Sequence, residues 1–393
     1  MARTPSPPLS PSPSLSLRTV VREWGRIGCV GFGGPPAHIA LLRELCVERK
    51  RWITEEEFEH GIAATNLLPG PASTQLAVFC AWRLRGIAGA LVGGLAFILP
   101  GLAAIIALAA LFLGAPPDWV LGIGAGAGAV VAAVAVQAGA SLLPAGWART
   151  AGPERVRFAA YVVLGAAATV LVGVWLVLVL VACGFAELTW RRAGPRAPTA
   201  SVHAWPVALL LATASVGGLG ALAWTAFKVG ALSYGGGFVI IPLMQADAVG
   251  QGWMTNGEFL NAVALGQATP GPVVHTVAVV GYAAAGVGGA LLAAGVAFAP
   301  SFWFITLGAG RFDRLRTSPA PQAFLRGAGP AAIGAIIGSA VPLALALSET
   351  WQVGVLAGGA VLLLVARRGV VLVLVLAACS GALATVVGAP LPR

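Results

Sequence analysis

The sequence predicts an all-α integral membrane protein with two homologous inverted-topology repeats and broken, re-entrant helices. Hydrophobic residues make up 58% of the 393 residues and charged residues only 10%, whereas a soluble domain carries roughly 25% charged residues. Uncharged stretches long enough for a helical span of about 20 residues occupy 86–117, 119–148, 158–186, 204–227, 327–348 and 369–392. Because they are solid Ala, Val, Leu and Gly runs without the short alternation of a membrane barrel, helices are predicted.

The excess of positive charge is typical of membrane-protein loops. The net charge is +10, and such an excess marks cytoplasmic loops, so nucleic-acid binding is discarded. The Pro/Ser-rich residues 1–19 lack the apolar core of a signal peptide and are predicted to form a disordered tail. The five cysteines lie singly, without the spacing of a metal or redox site, and no metal or other cofactor is expected.

The chain contains two copies of one pattern. Residues 28–98 recur at 230–299, and both copies contain W-x-T-x-x-E-F followed at the same distance by P-G-P. We therefore divide the chain into the tail, an N-terminal repeat (20–190), a cytoplasmic linker with an extra span (191–224) and a C-terminal repeat (225–393). An internal repeat of this kind indicates a transporter.

The charges predict that the two repeats have opposite orientations. The loop at 43–51 is basic, whereas its counterpart at 245–252 carries only Asp247, and the basic segment 311–326 has no basic counterpart in the first repeat. Since Lys and Arg mark cytoplasmic loops, this asymmetry indicates inversion, with the span at 204–224 supplying the change of side.

The same rule predicts the topology. Every basic cluster except Arg393 lies on the cytoplasmic side, together with the N-terminus, if 24–42 and 61–82 are re-entrant hairpins. Complete spans are then predicted near 87–112, 119–143, 158–170, 174–189, 288–310, 327–347, 352–366 and 369–388.

Two Pro-Gly-Pro breaks are the predicted substrate-binding elements: Pro69, Gly70 and Pro71 in the first repeat, and Pro270, Gly271 and Pro272 in the second. A helix that restarts after such a break directs free N–H groups and partial positive charge at an anion. Ser73 and Thr74 follow the first break, and His275 follows the second. The two hydroxyls either bind an oxyanion or only cap the helix, and the sequence leaves both interpretations open.

Glycine turns and two cations complete the predicted binding residues. Gly33 and Gly34, with their counterparts Gly235 and Gly236, permit a tight turn early in each repeat. Arg26 and Lys228 precede the two turns at matching positions. A cation within a span is a functional hypothesis by default and would favour a dianion, although either side chain could instead extend to the membrane surface.

His38 and His275 are candidates for proton coupling because imidazole titrates near neutral pH, with ordinary packing as the alternative. Glu57 and Glu258 match between the repeats, but W-x-T-x-x-E is typical of a capping box with an aromatic anchor, and we interpret both as structural. The sequence shows no nucleophile with a base and no phosphate-binding glycine loop, so an enzyme is not expected.

Several motifs closely resemble those of the chromate ion transporter family in its long, two-domain form. They are G-F-G-G-P-P-A-H-I-A at 31–40, N-L-L-P-G-P-A-S-T-Q at 66–75, F-K-V-G-A-L-S-Y-G-G-G-F-V-I-I-P-L at 227–243 and Q-A-T-P-G-P at 267–272. The resemblance implies a bacterial inner-membrane carrier that exports chromate, a sulfate-like dianion. It also implies chromate resistance and export driven by the membrane potential or a proton gradient.

The residues by themselves leave the oxyanion unidentified. Sulfate shares size and charge with chromate, so a transporter or channel for sulfate or another oxyanion is the first alternative. A membrane structural protein without transport is the second. The lipid bilayer is the expected surrounding, and a homodimer is one candidate for the oligomeric state.

Overall fold

A computed structural model of the chain describes residues 15–65, 68, 70–114, 116–172, 175–192, 218–233, 240–308 and 318–392. In these ranges all regular secondary structure is helical. Four helical segments are long and apolar enough to cross a membrane: Ala72–Phe112, Asp118–Ala148, Val273–Gly308 and Pro319–Leu345. The predicted fold class, an all-α membrane protein, is thereby confirmed. Most of the span predicted at 204–224 and the first 14 residues of the tail lie outside the described residues.

The helices described in the first half are α1 (Leu17–Val30), α2 (Pro35–Arg43), α3 (Glu55–Thr65), α4 (Ala72–Phe112), α5 (Asp118–Ala129), α6 (Val131–Ala148), α7 (Pro153–Leu171) and α8 (Leu176–Arg192). Those described in the second half are α9 (Leu219–Leu232), α10 (Ile240–Gly250), α11 (Asn256–Ala268), α12 (Thr276–Gly308), α13 (Pro319–Gly338), α14 (Ala340–Leu345), α15 (Thr350–Ala360) and α16 (Val370–Val386). Short π-helical turns extend α2 and α15, and a 3-10 turn (Val273–His275) precedes α12.

The first helix begins inside the region predicted as tail. The Ser16 hydroxyl oxygen accepts a hydrogen bond of 3.2 Å from the Thr19 N–H. A Ser at this position satisfies one of the backbone donors that a helix leaves free at its start. Residues 17–19 are therefore helical and belong to α1, although the sequence analysis assigns them to the tail.

The first half starts with two antiparallel helical hairpins. Hairpin 1 is α1 with α2, and hairpin 2 is α3 with the first arm of α4, residues 72–84. In hairpin 2 Glu57 pairs with Arg83, and a Cβ at Gly61 would lie 2.5 Å from the Phe79 ring. The two arms of hairpin 2 therefore lie side by side, and Gly70 and Pro71 lie at its tip.

The second half repeats this arrangement. Hairpin 3 is α9 with α10, and Asp247 of α10 accepts a hydrogen bond of 2.9 Å from the Thr225 hydroxyl of α9. Hairpin 4 is α11 with the 3-10 turn and the first arm of α12, residues 276–284. A Cβ at Gly266 would overlap the Thr276 side chain, which places the two arms of hairpin 4 side by side.

Both α4 and α12 reverse direction at a glycine. Gly86 and Gly286 have φ values of +59° and +60°, in the left-handed region that favours glycine. A Cβ at Gly93 would lie 2.5 Å from the Ala81 Cβ, although a straight helix would separate these residues by about 18 Å at 1.5 Å per residue. The second arms, residues 87–112 and 287–308, are the long helices of each half.

The outer helices of each half pack against the other half. α7 and α8 lie against α13, and α16 lies against α5. A Cβ at Gly334 would overlap the Val162 carbonyl oxygen, and one at Gly381 would overlap the Gly122 carbonyl oxygen. Small residues let helix backbones approach closely in a membrane, and here they interlock the two halves.

Candidate functional site

The tips of hairpins 1, 2 and 4 and the end of α9 contact one another. The Gly271 N–H, at the tip of hairpin 4, donates a hydrogen bond of 2.9 Å to the Gly31 carbonyl at the tip of hairpin 1. Gly70, at the tip of hairpin 2, faces the end of α9, and its Cβ position lies 3.4 Å from the Gly230 carbonyl oxygen. Each Pro-Gly-Pro break therefore contacts the first hairpin of the other half.

His38 joins hairpins 1 and 2 next to these tips. Its ring is fully buried, with Nε2 2.9 Å from the Gly31 carbonyl oxygen and Nδ1 3.2 Å from the Ser73 Oγ. A carbonyl oxygen only accepts, so we assign the proton to Nε2, and Nδ1 accepts the Ser73 hydroxyl proton. A second proton at Nδ1 would reverse this bond and free the Ser73 hydroxyl to donate to a ligand.

His275 has an environment in the second half similar to that of His38. The His38 ring packs edge-on against Phe97 at 5.1 Å between centroids, and the His275 ring packs edge-on against Phe298 at 5.3 Å. His275 is fully buried, and neither ring nitrogen has a hydrogen-bond partner among the described residues. The Ile98 carbonyl is close to the ring but outside hydrogen-bond geometry. His275 can therefore offer an N–H to a bound anion.

Further buried polar atoms in the hairpins and the long arm of α12 have no hydrogen-bond partner within the described ranges. They are the hydroxyl oxygens of Thr74, Ser233 and Ser301 and the amide nitrogen of Gln267. Thr74 and Gln267 flank the two breaks, and Ser233 follows the end of α9. A buried polar group without a partner costs about 1–3 kcal/mol. Such groups indicate a place for a ligand or water.

The hairpin tips offer hydrogen-bond donors without a carboxylate. Among the described buried residues the one carboxylate is Glu187, which Arg157 of α7 binds elsewhere in the fold. α4 starts at Ala72 directly after Pro71, so the N–H groups of its first turn have no acceptor within the helix and carry partial positive charge. This combination is suited to an anion.

The two predicted cations have different surroundings in the structure. Lys228 pairs with Asp247, and 15% of each side chain is exposed. Its charge is therefore compensated within hairpin 3. Arg26 is exposed on the surface of α1. Neither position supplies an uncompensated buried cation to the hairpin tips, which differs from the role that the sequence suggests.

The remaining predicted binding residues belong to the turns. Gly33 and Gly34 form the turn of hairpin 1 with φ values of +98° and +72°, and the Cβ position of Gly34 lies 4.0 Å from Val273. The Pro270 carbonyl contacts Gly101 on the long arm of α4, and Pro272 precedes the 3-10 turn. Pro69, Gly235 and Gly236 lie outside the described residues.

The structural interpretation of Glu57 and Glu258 is confirmed. The Thr255 hydroxyl accepts from the Glu258 N–H, and the Glu258 carboxylate accepts from the Thr255 N–H at 2.7 Å. Glu57 bonds Thr54 in the same way. Burial tends to raise the pKa of the Glu57 carboxyl, but the Thr54 N–H and the Arg83 guanidinium outweigh it and bring the pKa below its ordinary value.

Sequence reasoning missed a second polar cluster, on α7, α8 and α13. Glu187 accepts hydrogen bonds from Arg157, Arg191 and the Tyr161 hydroxyl. The signal was a carboxylate inside the apolar run predicted at 174–189.

As for metals, no group of three or more His, Cys, Asp or Glu side chains that could hold an ion occurs in the part of the chain that the structure describes.

Comparison with known proteins identifies relatives over most of the chain. The model of the family described as Chromate transporter matches residues 18–188 and 220–383. A chromate transport protein of Cupriavidus metallidurans is 32% identical over 343 residues, covering 85% of this chain and 84% of the relative. One of Pseudomonas aeruginosa is 30% identical over 356 residues, with 86% and 83% covered. A probable chromate transport protein of Synechococcus elongatus is 28% identical over 365 residues, with 87% and 92% covered. No solved structure matches the chain.

Proposed function

Because the chain belongs to the chromate transporter family, we propose that it exports chromate across the inner membrane and thereby confers chromate resistance. Chromate is a tetrahedral dianion, so its site needs hydrogen-bond donors and excludes carboxylates. The observation that carries the proposal is the contact among the tips of hairpins 1, 2 and 4 and the end of α9. His275 follows the tip of hairpin 4, and Thr74 lies at the start of α4, and both have buried polar atoms without a partner among the described residues.

The two halves, 20–190 and 225–393, have opposite orientations in this proposal. The family model matches each half separately, which supports the duplication. One contact supports the inversion: Gly94, near the start of the first long arm, lies against Phe302, which is far along the second. Antiparallel long arms produce such a pairing. Hairpins that enter from opposite faces of the membrane then bring their tips together at mid-depth, with the N-terminus in the cytoplasm.

Export is driven by the membrane potential, and His38 carries one proton with each anion. Protonation at Nδ1 lets His38 donate to the Ser73 oxygen, so that the Ser73 hydroxyl donates to chromate. The imidazolium also compensates one of the two negative charges. The complex carries a net charge of −1, and its exit from an inside-negative cell is still favourable by about 2.3 kcal/mol per 100 mV.

The test is chromate flux into and out of liposomes that contain the purified protein at defined voltage. Sulfate is the competing substrate, since it presents the same charge and shape to the same donors. Sulfate flux without chromate flux would show that sulfate, and not chromate, is the substrate. Absence of flux for both anions would refute transport altogether and favour a structural role in the membrane.

A serine substitution tests the position of the site. Ser73→Ala removes one hydrogen bond to a charged ligand, which contributes about 1.5–3 kcal/mol. We therefore expect the half-saturating chromate concentration to rise about tenfold to a hundredfold, at about 1.4 kcal/mol per factor of ten. Ser380→Ala is the matched control, because the exposed Ser380 hydroxyl donates to the Leu376 carbonyl of its own helix. Equal kinetics for the two variants would show that the hairpin tips are not on the transport path.

A further inference from the structure

A cavity of about 840 Å³ lies between α6, α7, α8 and α13. Small-molecule sites usually occupy about 300–1,000 Å³, so the cavity has room for a hydrated ion. Apolar side chains such as Phe158 and Ile333 line part of its wall. Its charged wall consists of Arg149, Glu154, Arg157, Glu187, Arg191 and Arg326.

Two of the four arginines are firmly held. The Glu187 carboxylate, with 3% of its side chain exposed, pairs with the Arg157 Nε at 2.9 Å and the Arg191 Nε at 2.8 Å. The Tyr161 hydroxyl donates to the same carboxylate at 3.2 Å. Arg191 also pairs with Glu154 at 2.7 Å. These contacts fix the guanidinium planes of Arg157 and Arg191 at the cavity wall.

The other two arginines leave a surplus of positive charge. Arg149 pairs with no carboxylate within the described ranges, and Arg326 reaches Glu154 only at 3.7 Å with half of its side chain exposed. Four guanidinium groups thus face two carboxylates in the wall, and the excess of two positive charges matches a dianion. Guanidinium groups bind tetrahedral oxyanions through paired hydrogen bonds.

The position of the cavity connects it with hairpin 2. Its wall includes Ala63, close to the end of α3 at Thr65, and α3 leads into the tip that carries Ser73. The arginines come from segments around 149–157, 191 and 326, all of which the positive-inside rule assigns to the cytoplasmic side. An anion in this cavity would therefore lie between the cytoplasm and the hairpin tips.

We propose that the cavity is an entry site, in which Arg149 and Arg326 bind the transported tetrahedral oxyanion before it reaches the hairpin tips. The inference rests on the proposed transport function. The phosphate of an anionic lipid presents the same chemistry from a different source. The experiment therefore includes liposomes with and without anionic lipid.

The test is the initial rate of chromate transport by protein in one orientation, with chromate supplied from either side. Arg149→Gln/Arg326→Gln should raise the half-saturating concentration about tenfold from the cavity side and leave the opposite side and the maximal rate unchanged. Arg326→Gln alone should raise the half-saturating concentration from the cavity side about threefold. Because Arg326 is half exposed, this variant should fold and keeps the test decisive if the double variant misfolds. Arg155→Gln is the control, since Arg155 stacks on Trp147 and does not line the cavity.

Four outcomes would overturn the entry site. They are unchanged kinetics in both variants, an equal change from both sides, an equal change in Arg155→Gln, and a defect confined to liposomes with anionic lipid. Normal wild-type flux with any of these results refutes the entry site alone. Absence of wild-type flux for every oxyanion refutes the transport function itself, so the two failures are distinguishable.

Discussion

Replacing His38 with Gln should remove the effect of a pH gradient on chromate transport. Gln keeps an amide that can donate to the Gly31 carbonyl, but it takes up no proton near neutral pH. The variant loses the edge contact with Phe97, which contributes about 0.5–1.5 kcal/mol. This loss is small against a typical stability of about 5–15 kcal/mol, so a folded protein is expected.

The size of the effect follows from the charges. If one proton accompanies each dianion, one pH unit contributes about 1.4 kcal/mol to the driving force. The chromate–proton pair carries a net charge of −1, so the voltage contributes about 2.3 kcal/mol per 100 mV. One pH unit is therefore equivalent to about 59 mV and shifts the voltage of zero flux by that amount. In His38→Gln the shift should vanish. The variant should then move two charges per chromate, about 4.6 kcal/mol per 100 mV.

The assay measures the voltage at which net chromate movement stops in liposomes with equal chromate on both sides and an imposed pH gradient. His60→Gln is the matched control, because His60 is exposed on α3. A wild-type protein without a shift would show that no proton moves with chromate. A shift that persists in His38→Gln would show that another group carries the proton.

Two further substitutions test the packing. Gly334→Leu should abolish the cooperative thermal transition in detergent, because the leucine side chain would overlap the Val162 carbonyl. Gly354→Leu is the control and should melt normally, because the space around Gly354 is open. Equal melting of the two variants would contradict the contact between α7 and α13. Lys228→Met should lower the free energy of unfolding by about 3 kcal/mol because it leaves the Asp247 carboxylate without its cation, and Lys228→Met/Asp247→Leu should restore it. A double variant that folds yet transports no chromate would instead give Lys228 a direct role in transport.

The breaks and hairpins could be predicted because they depend on local chemistry. Pro-Gly-Pro removes two backbone donors within three residues and strongly disfavours a continuous helix, and the capping boxes at Thr54 and Thr255 need residues only three positions apart. The basic loops also indicated which segments return to the same side. Membrane proteins allow such inferences because few backbone arrangements are stable in lipid.

The contacts within the site could not be predicted because they join distant parts of the chain. His38 and His275 belong to different hairpins, yet both pack against matching phenylalanines. Lys228 looked like a lone cation because its partner Asp247 lies on the next helix. The charged cavity likewise combines α6, α7, α8 and α13. Glu187 inside an apolar run signals a buried charge, but it does not indicate which helices meet there.

Since the backbones of α5 and α16, and of α7 and α13, approach closely at glycines, we expect these helices to form a stiff frame shared by both halves. Such a frame leaves little freedom for one half to rock as a unit against the other. Changes of access to the substrate would then fall to the four inner hairpins, which could tilt inside a stationary ring.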